Sequence, residues 1–401
     1  MSYKKLRLMI ATIIISTISL LGCSTDAVGN NIYTENGQEA IKNDEKKEDI
    51  EKKEIQYANI DEIVEEGYEK VDAYLENEWQ GNGFQGVALV AVGDEIKFAK
   101  SYGYAEIDEK RENTLTTRFA IASNTKQFTA VAVLQLVEDG KINLDDTIDK
   151  YFPEYQYGSS ITVRDLLQMR SGFIDYLNDA GTYMQSDESK EILNTYKDEK
   201  YFDKYVEDER WSKDIILDNL YLNGLSSEPG VIFDYCNTNY YLLGLIIEEV
   251  TGITYEEYVQ ENIFEPCNMV TASMEEKEDD AKGHGNEVSG EISAQPEFTY
   301  AAGNIYANVF DIFRWNRALH KGDIISDGMY NEMITPVDEY GYGVFVKDGI
   351  IKHSGVIDGF NSNTQYNINT DTTIIVLENK DNTTGLLDAK YETYMIDSLI
   401  K

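Results

Sequence analysis

Strand-like segments near both ends of the chain enclose a long middle part whose apolar residues follow a helical period. Residues 86–92 and 95–101 are strand-like, and the Gly-Asp pair between them predicts a β-hairpin turn. Residues 128–139 and 240–250 instead have the apolar periodicity of helices. Further strands are predicted near the C-terminus at 342–347, 350–354, 364–368 and 373–377. An antiparallel sheet built from both chain ends, with a mostly helical insert over about residues 125–300, satisfies this order.

Helices are also predicted at the two ends of this folded part. Five apolar residues near helical spacing predict an opening amphipathic helix: Ile60, Ile63, Val64, Val71 and Leu75. It should end near Trp79, because Gly81 and Gly83 follow. A last helix is predicted at about 386–400. The expected fold class is therefore α+β, with one sheet flanked by the terminal helices in a domain that spans residues 58–401.

The first 57 residues have the pattern of an exported and anchored protein. Residues 1–22 join a basic start to a short apolar run, which predicts a signal peptide. The run ends in Leu-Leu-Gly before Cys23 and resembles a bacterial lipobox, so Cys23 is the predicted lipidation site. A plain cleaved signal with an incidental cysteine is the alternative. Residues 23–57 are polar and of mixed charge, which predicts a flexible tether. The domain is then expected outside the cell membrane of a Gram-positive-type envelope, and only its lipid touches the membrane.

The formal net charge of −38 excludes some classes of partner. A nucleic acid would be repelled by this charge, so no nucleic-acid partner is predicted. The three histidines lack metal-ligand spacing, so no metal site is predicted: His284, His320 and His353. No CxxC pair occurs, and we expect Cys236 and Cys267 to be buried free thiols rather than a disulfide.

A serine and a lysine three residues apart lie directly before the apolar stretch 128–139, at the start of the predicted helix. Ser123 and Lys126 would lie on the same helical face. A serine hydroxyl needs a nearby base, and a lysine can serve when burial lowers its pKa from ~10.4. The same SxxK spacing also occurs at Ser2 and Ser398, and an ordinary helix N-cap is the alternative interpretation of Ser123.

The surroundings of Ser123 resemble the first active-site motif of the class C β-lactamase and DD-peptidase family, over residues 119–129 (FAIASNTKQFT). Further segments resemble the family in its order: 140–146 (GKINLDD), 161–167 (ITVRDLL), 171–172 (SG), 229–240 (PGVIFDYCNTNY) and 302–306 (AGNIY). The resemblance covers most of residues 60–400. It implies that Tyr235 shares protons with Ser123 and Lys126, and that Asn237 binds the substrate.

The third motif of the family, (K/H)xG on a strand, has candidates at His320, Lys347 and His353. The strand pattern favours His353-Ser354-Gly355. The resemblance implies that this strand binds substrate and that the backbone N–H groups of Ser123 and Val356 form the oxyanion hole. Histidine in place of lysine is a departure from true β-lactamases. A neutral imidazole is poorly suited to a substrate carboxylate, which argues against efficient β-lactam hydrolysis.

These features together predict a serine hydrolase that forms an acyl-enzyme on Ser123 and needs no cofactor. The expected substrates are small or wall-derived D-alanyl peptides or D-alanyl esters, and a β-lactamase is the alternative. A catalytically silent binding or sensing lipoprotein and a Ser-His-Asp hydrolase that uses His353 are further alternatives. The charged segment 177–210 is either a lid or a surface excursion. Cys236 is expected to pack rather than to react.

Overall fold

The computed structural model of the protein describes residues 60–187, 189–190, 212–284, 291–292, 296–357, 359–380 and 389–401. The predicted signal peptide, the lipidation site at Cys23 and the tether lie outside these residues, as does most of the 177–210 segment. Their assignments stay predictions.

Strands near both ends of the described chain enclose a mostly helical middle part, as the sequence predicts. The strands are β1 (Ile63–Val64), β2 (Gly86–Val92), β3 (Glu95–Tyr102), β4 (Tyr104–Glu106), β5 (Arg111–Glu112), β6 (Phe119–Ala120), β7 (Gly283–His284), β8 (Glu291–Ile292), β9 (Tyr306–Ala307), β10 (Phe345–Lys347), β11 (Ile350–Ile357), β12 (Phe360–Asn367) and β13 (Thr372–Glu378). The α-helices are α1 (Glu69–Asn82), α2 (Thr125–Glu138), α3 (Val163–Leu167), α4 (Ala180–Tyr183), α5 (Lys213–Leu222), α6 (Asn237–Thr251), α7 (Tyr255–Val259), α8 (Pro296–Thr299), α9 (Val309–Lys321), α10 (Asp327–Met333) and α11 (Ala389–Leu399).

Seven of these strands form one antiparallel sheet in the order β1-β3-β2-β13-β12-β11-β10. Its centre joins the two ends of the chain, since β2 pairs with β13 from Gly86 opposite Glu378 to Val92 opposite Thr372. The prediction of a sheet built from both ends is therefore confirmed. The predicted hairpin at Gly93 is also present, and a second hairpin turns at Gly349; both glycines have positive φ.

Both faces of the central strands are buried, because helices cover each side of the sheet. Alternate residues of β2 and β13 belong to two separate apolar clusters. The smaller cluster packs the sheet against α1 and α11 through Val71, Leu75, Ala389 and Ile396. The larger cluster packs the other face against α2, whose residues are almost all buried. Helix α2 therefore lies in the main core, where its first turn is held firmly.

The predicted opening helix is wrong at its start and its end. Ile63 and Val64 form the edge strand β1, which pairs with Ala99 and Phe98 of β3. Gly67 has φ 97°, and helix α1 begins only at Glu69. The helix then continues through Gly81 to Asn82 and is capped by Gly83 in the left-handed conformation. Two adjacent apolar residues are compatible with both a helical and a strand pattern, and here pairing with β3 determines that they form a strand.

Strand β11 has an open outer edge beside the helical part. Its pairing with β10 covers only Ile350 to Lys352, so the residues from His353 onward have β12 on one side alone. The turn before α2, Ala122–Asn124, packs against this strand. Among the described residues, no helix is long and apolar enough to cross a membrane.

Candidate active site

Ser123 lies in a turn of 3-10 helix, Ala122–Asn124, between strand β6 and helix α2. Ala122 has φ 46°, a left-handed conformation that is costly for a residue with a Cβ. Lys126 follows in the first turn of α2, and its Nζ lies 3.0 Å from Oγ of Ser123. The structure therefore brings the predicted nucleophile and the predicted base within hydrogen-bond distance.

Lys126 is fully buried, with 0% of its side chain exposed. Its Nζ donates to Oδ1 of Asn237 and to the carbonyl oxygen of Ala302, at 2.8 Å each. Burial lowers the pKa of Lys126 to about 7, against the opposing charge of Asp175. A lysine with this pKa is partly neutral at pH 7 and can accept a proton from Ser123.

Two tyrosine rings lie close to the Lys126 amine. Nζ is 5.1 Å from the ring centre of Tyr235 and 5.8 Å from that of Tyr240, within cation–π range. Tyr235 also shares a hydrogen bond with Ser123, which lowers its pKa, but burial is the larger effect and raises that pKa well above its usual value. Tyr235 is therefore a protonated phenol at neutral pH, suited to donating a proton rather than removing one.

Asn237 is the first residue of α6, and both the oxygen and the nitrogen of its side-chain amide are hydrogen-bonded. Oδ1 accepts from Lys126, and Nδ2 donates to Oδ2 of Asp175 at 3.0 Å. The backbone N–H of Asn237 donates to the same oxygen, also at 3.0 Å. Asn237 is thus part of the base's environment, in addition to the substrate-binding role that the sequence predicts.

Gly355 allows strand β11 to approach the nucleophile. A Cβ at this position would lie 2.3 Å from the carbonyl oxygen of Ile121 and 2.8 Å from the backbone N of Ser123. Only glycine fits such a contact with two backbone groups. Val356, the predicted second oxyanion donor, is the next residue on this strand, and its side chain is 63% exposed. The open edge of β11 therefore borders the Ser123 turn, and Ser354 precedes Gly355 on it.

His353 is buried and has protein partners on both ring nitrogens. Nδ1 is 2.7 Å from the carbonyl oxygen of Ser354, and Nε2 is 3.3 Å from the hydroxyl of Tyr340. The carbonyl oxygen can only accept, so Nδ1 carries the proton and Nε2 accepts from Tyr340. Burial, with the charge of Lys126, lowers the pKa of His353 to about 3. Within the part of the chain that the structure describes, neither nitrogen is hydrogen-bonded to a carboxylate or to Ser123, which disfavours a Ser-His-Asp arrangement.

A buried polar network holds the Ser123 turn against strand β12. Asn124 donates from Nδ2 to Oγ of Ser362 at 2.7 Å, and its Oδ1 accepts from Thr364 at 2.8 Å and from Gln127 at 2.9 Å. Ser362 in turn donates to the carbonyl oxygen of Ile121 at 2.6 Å. These bonds fix the residues on both sides of Ser123, which gives the nucleophile a defined position.

The other candidate residues lie in ordinary structural environments. His320 stacks on Tyr366 at 3.9 Å, and Lys347 pairs with Glu339. Cys236 and Cys267 are free and buried, as predicted. Burial raises the pKa of the Cys236 thiol, which keeps it protonated and unreactive. No group of residues that could hold a metal ion occurs within the described part of the chain.

Sequence reasoning missed three contributors to this site. Asp175 lies only three residues beyond the Ser-Gly pair at 171–172, but nothing in its local pattern distinguishes it from a loop aspartate. Tyr340 was one tyrosine among 29. Ala302 acts through its backbone carbonyl, which no side-chain pattern reveals. Only the matched segment 302–306 could have drawn attention to it.

Comparison with known proteins agrees with this geometry. The protein-family model described as Beta-lactamase matches residues 71–394. The putative penicillin-binding protein PbpX of Bacillus subtilis (strain 168) is 29% identical over 366 residues, which cover 89% of this chain and 85% of that protein. The structure of an octameric penicillin-binding protein homologue from Pyrococcus abyssi superimposes with a TM-score of 0.68 at 25% identity, covering 82% of this chain and 77% of that one. A D-amino acid amidase from Ochrobactrum anthropi SV3 shares the fold, with a TM-score of 0.66 at 24% identity over 83% of this chain and 97% of that one.

Proposed function

Because this chain belongs to the β-lactamase family of serine hydrolases, which includes penicillin-binding proteins, we propose that it hydrolyses D-alanyl amides or esters of the cell envelope through an acyl-enzyme on Ser123. The observation that carries the proposal is the buried Lys126 amine 3.0 Å from the Ser123 hydroxyl, with its pKa lowered to about 7. A serine activated in this way is a nucleophile rather than a helix cap.

The reaction follows from the protonation states of the three side chains. Neutral Lys126 takes the proton of Ser123 as Oγ attacks the carbonyl carbon, and the backbone N–H groups of Ser123 and Val356 stabilise the oxyanion. The Tyr235 hydroxyl protonates the leaving oxygen or nitrogen, and the Lys126 ammonium returns a proton to the phenolate. Water then attacks the acyl-enzyme, gives its proton to Lys126, and Ser123 recovers a proton as the acid leaves.

Two features favour acyl donors that carry no free carboxylate. His353 stands where β-lactamases have a lysine, and it is neutral with both nitrogens bonded to protein groups. The net charge of −38 also repels anions and attracts cations. A D-alanyl ester keeps its free ammonium group, whereas penicillins and peptides that end in D-alanine are anionic. We therefore favour D-alanyl esters of wall polymers, with the enzyme anchored nearby through Cys23.

The first test is intact-protein mass spectrometry of the full chain in detergent after treatment with a fluorophosphonate. We expect one adduct on the wild type and on Cys236→Ala, which lies beside the site, and none on Ser123→Ala. Failure to label the folded wild-type protein would overturn the hydrolase proposal and favour a silent binding protein.

A second measurement addresses the substrate. D-alanine p-nitrophenyl ester should be hydrolysed, while penicillin and N-acetyl-D-alanyl-D-alanine should react at least about 100-fold more slowly, because the site offers their carboxylates no cation. Faster acylation by penicillin than by the ester would instead identify a β-lactamase or a penicillin-sensitive peptidase.

A further inference from the structure

Asp175 is a carboxylate of the active-site region that the reaction described above does not use. It is 9% exposed and lies in the loop between α3 and α4. Its own loop holds it in place: Oδ1 accepts from the backbone N of Leu177 at 2.8 Å and of Asn178 at 3.1 Å, and Oδ2 accepts from Nδ2 of Asn178 at 2.9 Å. The carboxylate is therefore fixed before it makes any contact with the site.

The remaining bonds of Asp175 determine which way the Asn237 amide faces. An ionised carboxylate only accepts hydrogen bonds, so Nδ2 of Asn237 must point towards it. Oδ1 of Asn237 then points away and meets the Nζ of Lys126 at 2.8 Å. In the opposite orientation, an oxygen would face the carboxylate and an NH2 group would face the lysine, which removes both bonds and adds two repulsive contacts.

The other ionisable side chains described around Lys126 are uncharged, whereas Asp175 carries a negative charge. These come from the segment before α6, from α6 itself and from β11: Tyr235, Cys236, Tyr240 and His353. Burial keeps all four neutral at pH 7, since it raises the pKa of the phenols and the thiol and lowers that of the imidazole. Among the described residues, the carboxylate of Asp175 therefore supplies the negative charge that stabilises the buried Lys126 ammonium.

We propose that Asp175 is a positioning residue for catalysis, which orients Asn237 towards Lys126 and supplies the buried negative charge that stabilises the Lys126 ammonium formed during acyl transfer. The proposal rests on the proposed function of Ser123 and Lys126. Burial alone would lower the pKa of Lys126 further, so Asp175 keeps the base strong enough to take the proton of Ser123.

The variant Asp175→Asn tests this role because it removes the charge at nearly constant size. The aspartate accepts on both oxygens, so either orientation of the new amide would place an NH2 group against existing N–H donors. Asp165→Asn is the matched control. Asp165 is a half-buried carboxylate of the same helical region, but it caps α3 by accepting from the backbone N and the hydroxyl of Thr162.

Two readouts are measured on the full chain in detergent. The first is the titration of Lys126 by NMR with carbon-13 at the Cε of lysine, assigned by its loss in Lys126→Gln. The second is the pH dependence of the fluorophosphonate labelling rate. We expect Asp175→Asn to lower the Lys126 midpoint by about one pH unit or more and to reduce the labelling plateau at least about tenfold. Asp165→Asn should lower the melting temperature and leave both readouts at wild-type values.

The outcomes separate this proposal from the proposed function. An unchanged or higher Lys126 midpoint in Asp175→Asn overturns the role of Asp175, whatever the labelling shows. If the wild type is not labelled at all, the hydrolase proposal fails, and the NMR titration still decides whether Asp175 acts on Lys126. Should Asp175→Asn fail to fold, the smaller Asp175→Ser, which leaves room for water, is judged by the same titration.

Discussion

Gly355 has no Cβ, which allows strand β11 to lie close to the Ser123 turn. We expect Gly355→Ala to reduce the labelling rate at least about 100-fold, because its Cβ would meet the backbone of Ile121 and Ser123 at 2.3 and 2.8 Å and displace the oxyanion donors. Backbone atoms cannot rotate away as a flexible side chain can. Overpacking of this kind should also cost about 1–3 kcal/mol of stability.

Gly81→Ala is the matched control for this substitution. Gly81 lies in helix α1, and nothing comes within 4 Å of a Cβ built there. Alanine should stabilise the helix by roughly 0.5–1 kcal/mol and leave the labelling rate unchanged. Rates measured by fluorophosphonate labelling and midpoints from thermal unfolding check both variants. Wild-type labelling by Gly355→Ala would show that β11 does not contribute to the oxyanion site.

The site was predictable at the residue scale where side-chain identity carries the chemistry. Ser123 and Lys126 share a helical face, and their 3.0 Å contact follows from that spacing. Asp175 was not predictable, because its role depends on the close approach of its loop to the start of helix α6, 62 residues further along the chain. The neutral state of His353 was expected only from its ordinary pKa, whereas the structure shows that burial enforces it.

At the scale of elements, strand β12 acts as a polar support beneath the Ser123 turn. Thr364→Val keeps the shape of the side chain but removes its donation to Asn124 and its acceptance from Gln127. We expect a loss of about 1–3 kcal/mol, since buried polar groups lose their partners, and a labelling rate that falls because the turn is no longer fixed. Urea denaturation and fluorophosphonate labelling measure the two effects.

Thr373→Val on the neighbouring strand provides the comparison. Thr373 is 0% exposed and donates to Oδ1 of Asn316 at 2.7 Å, on the contact between β13 and α9 rather than at the site. Its loss should destabilise the protein by a similar amount without slowing the labelling. Equal labelling by the two variants would mean that the network around Asn124 contributes stability alone.

Elements were predictable where their period was unambiguous. β2 and β13 have continuous apolar runs bounded by turn residues, and α2 has a long helical period ended by glycine, so their existence and order were predicted correctly. Ile63 and Val64 were assigned to a helix, because a two-residue strand has no period of its own. They form a strand because β3 offers an edge that no other strand of the sheet occupies, which is a property of the sheet rather than of the local sequence.

At the scale of the whole molecule, two histidines make the folded state sensitive to acid. His320 and His353 each have a pKa lowered to about 3, chiefly by desolvation, against about 6.5 when unfolded. Between these values the unfolded chain binds more protons than the folded one, so stability falls as the pH drops through this range. Each histidine contributes a slope of about 1.4 kcal/mol per pH unit there, and no slope above it.

His320→Phe isolates one of these contributions away from the active site. Phenylalanine retains the stacking on Tyr366 at 3.9 Å but cannot bind a proton. Free energies of unfolding are measured by urea titration between pH 4 and 8. Below pH 6.5 they should fall less steeply in the variant, by about 1.4 kcal/mol per pH unit, because one fewer proton binds on unfolding. The carboxylates whose pKa is lowered by nearby cations, such as Asp94 and Asp371, act in the same direction in both proteins and cancel in the difference.

Tyr330→Phe removes the hydroxyl bonded to Nδ1 of His320 and keeps the imidazole, so it should retain the wild-type slope. Parallel curves for His320→Phe and the wild type would show that His320 binds its proton equally in the folded and unfolded chains, and that its packing does not exclude the charged form.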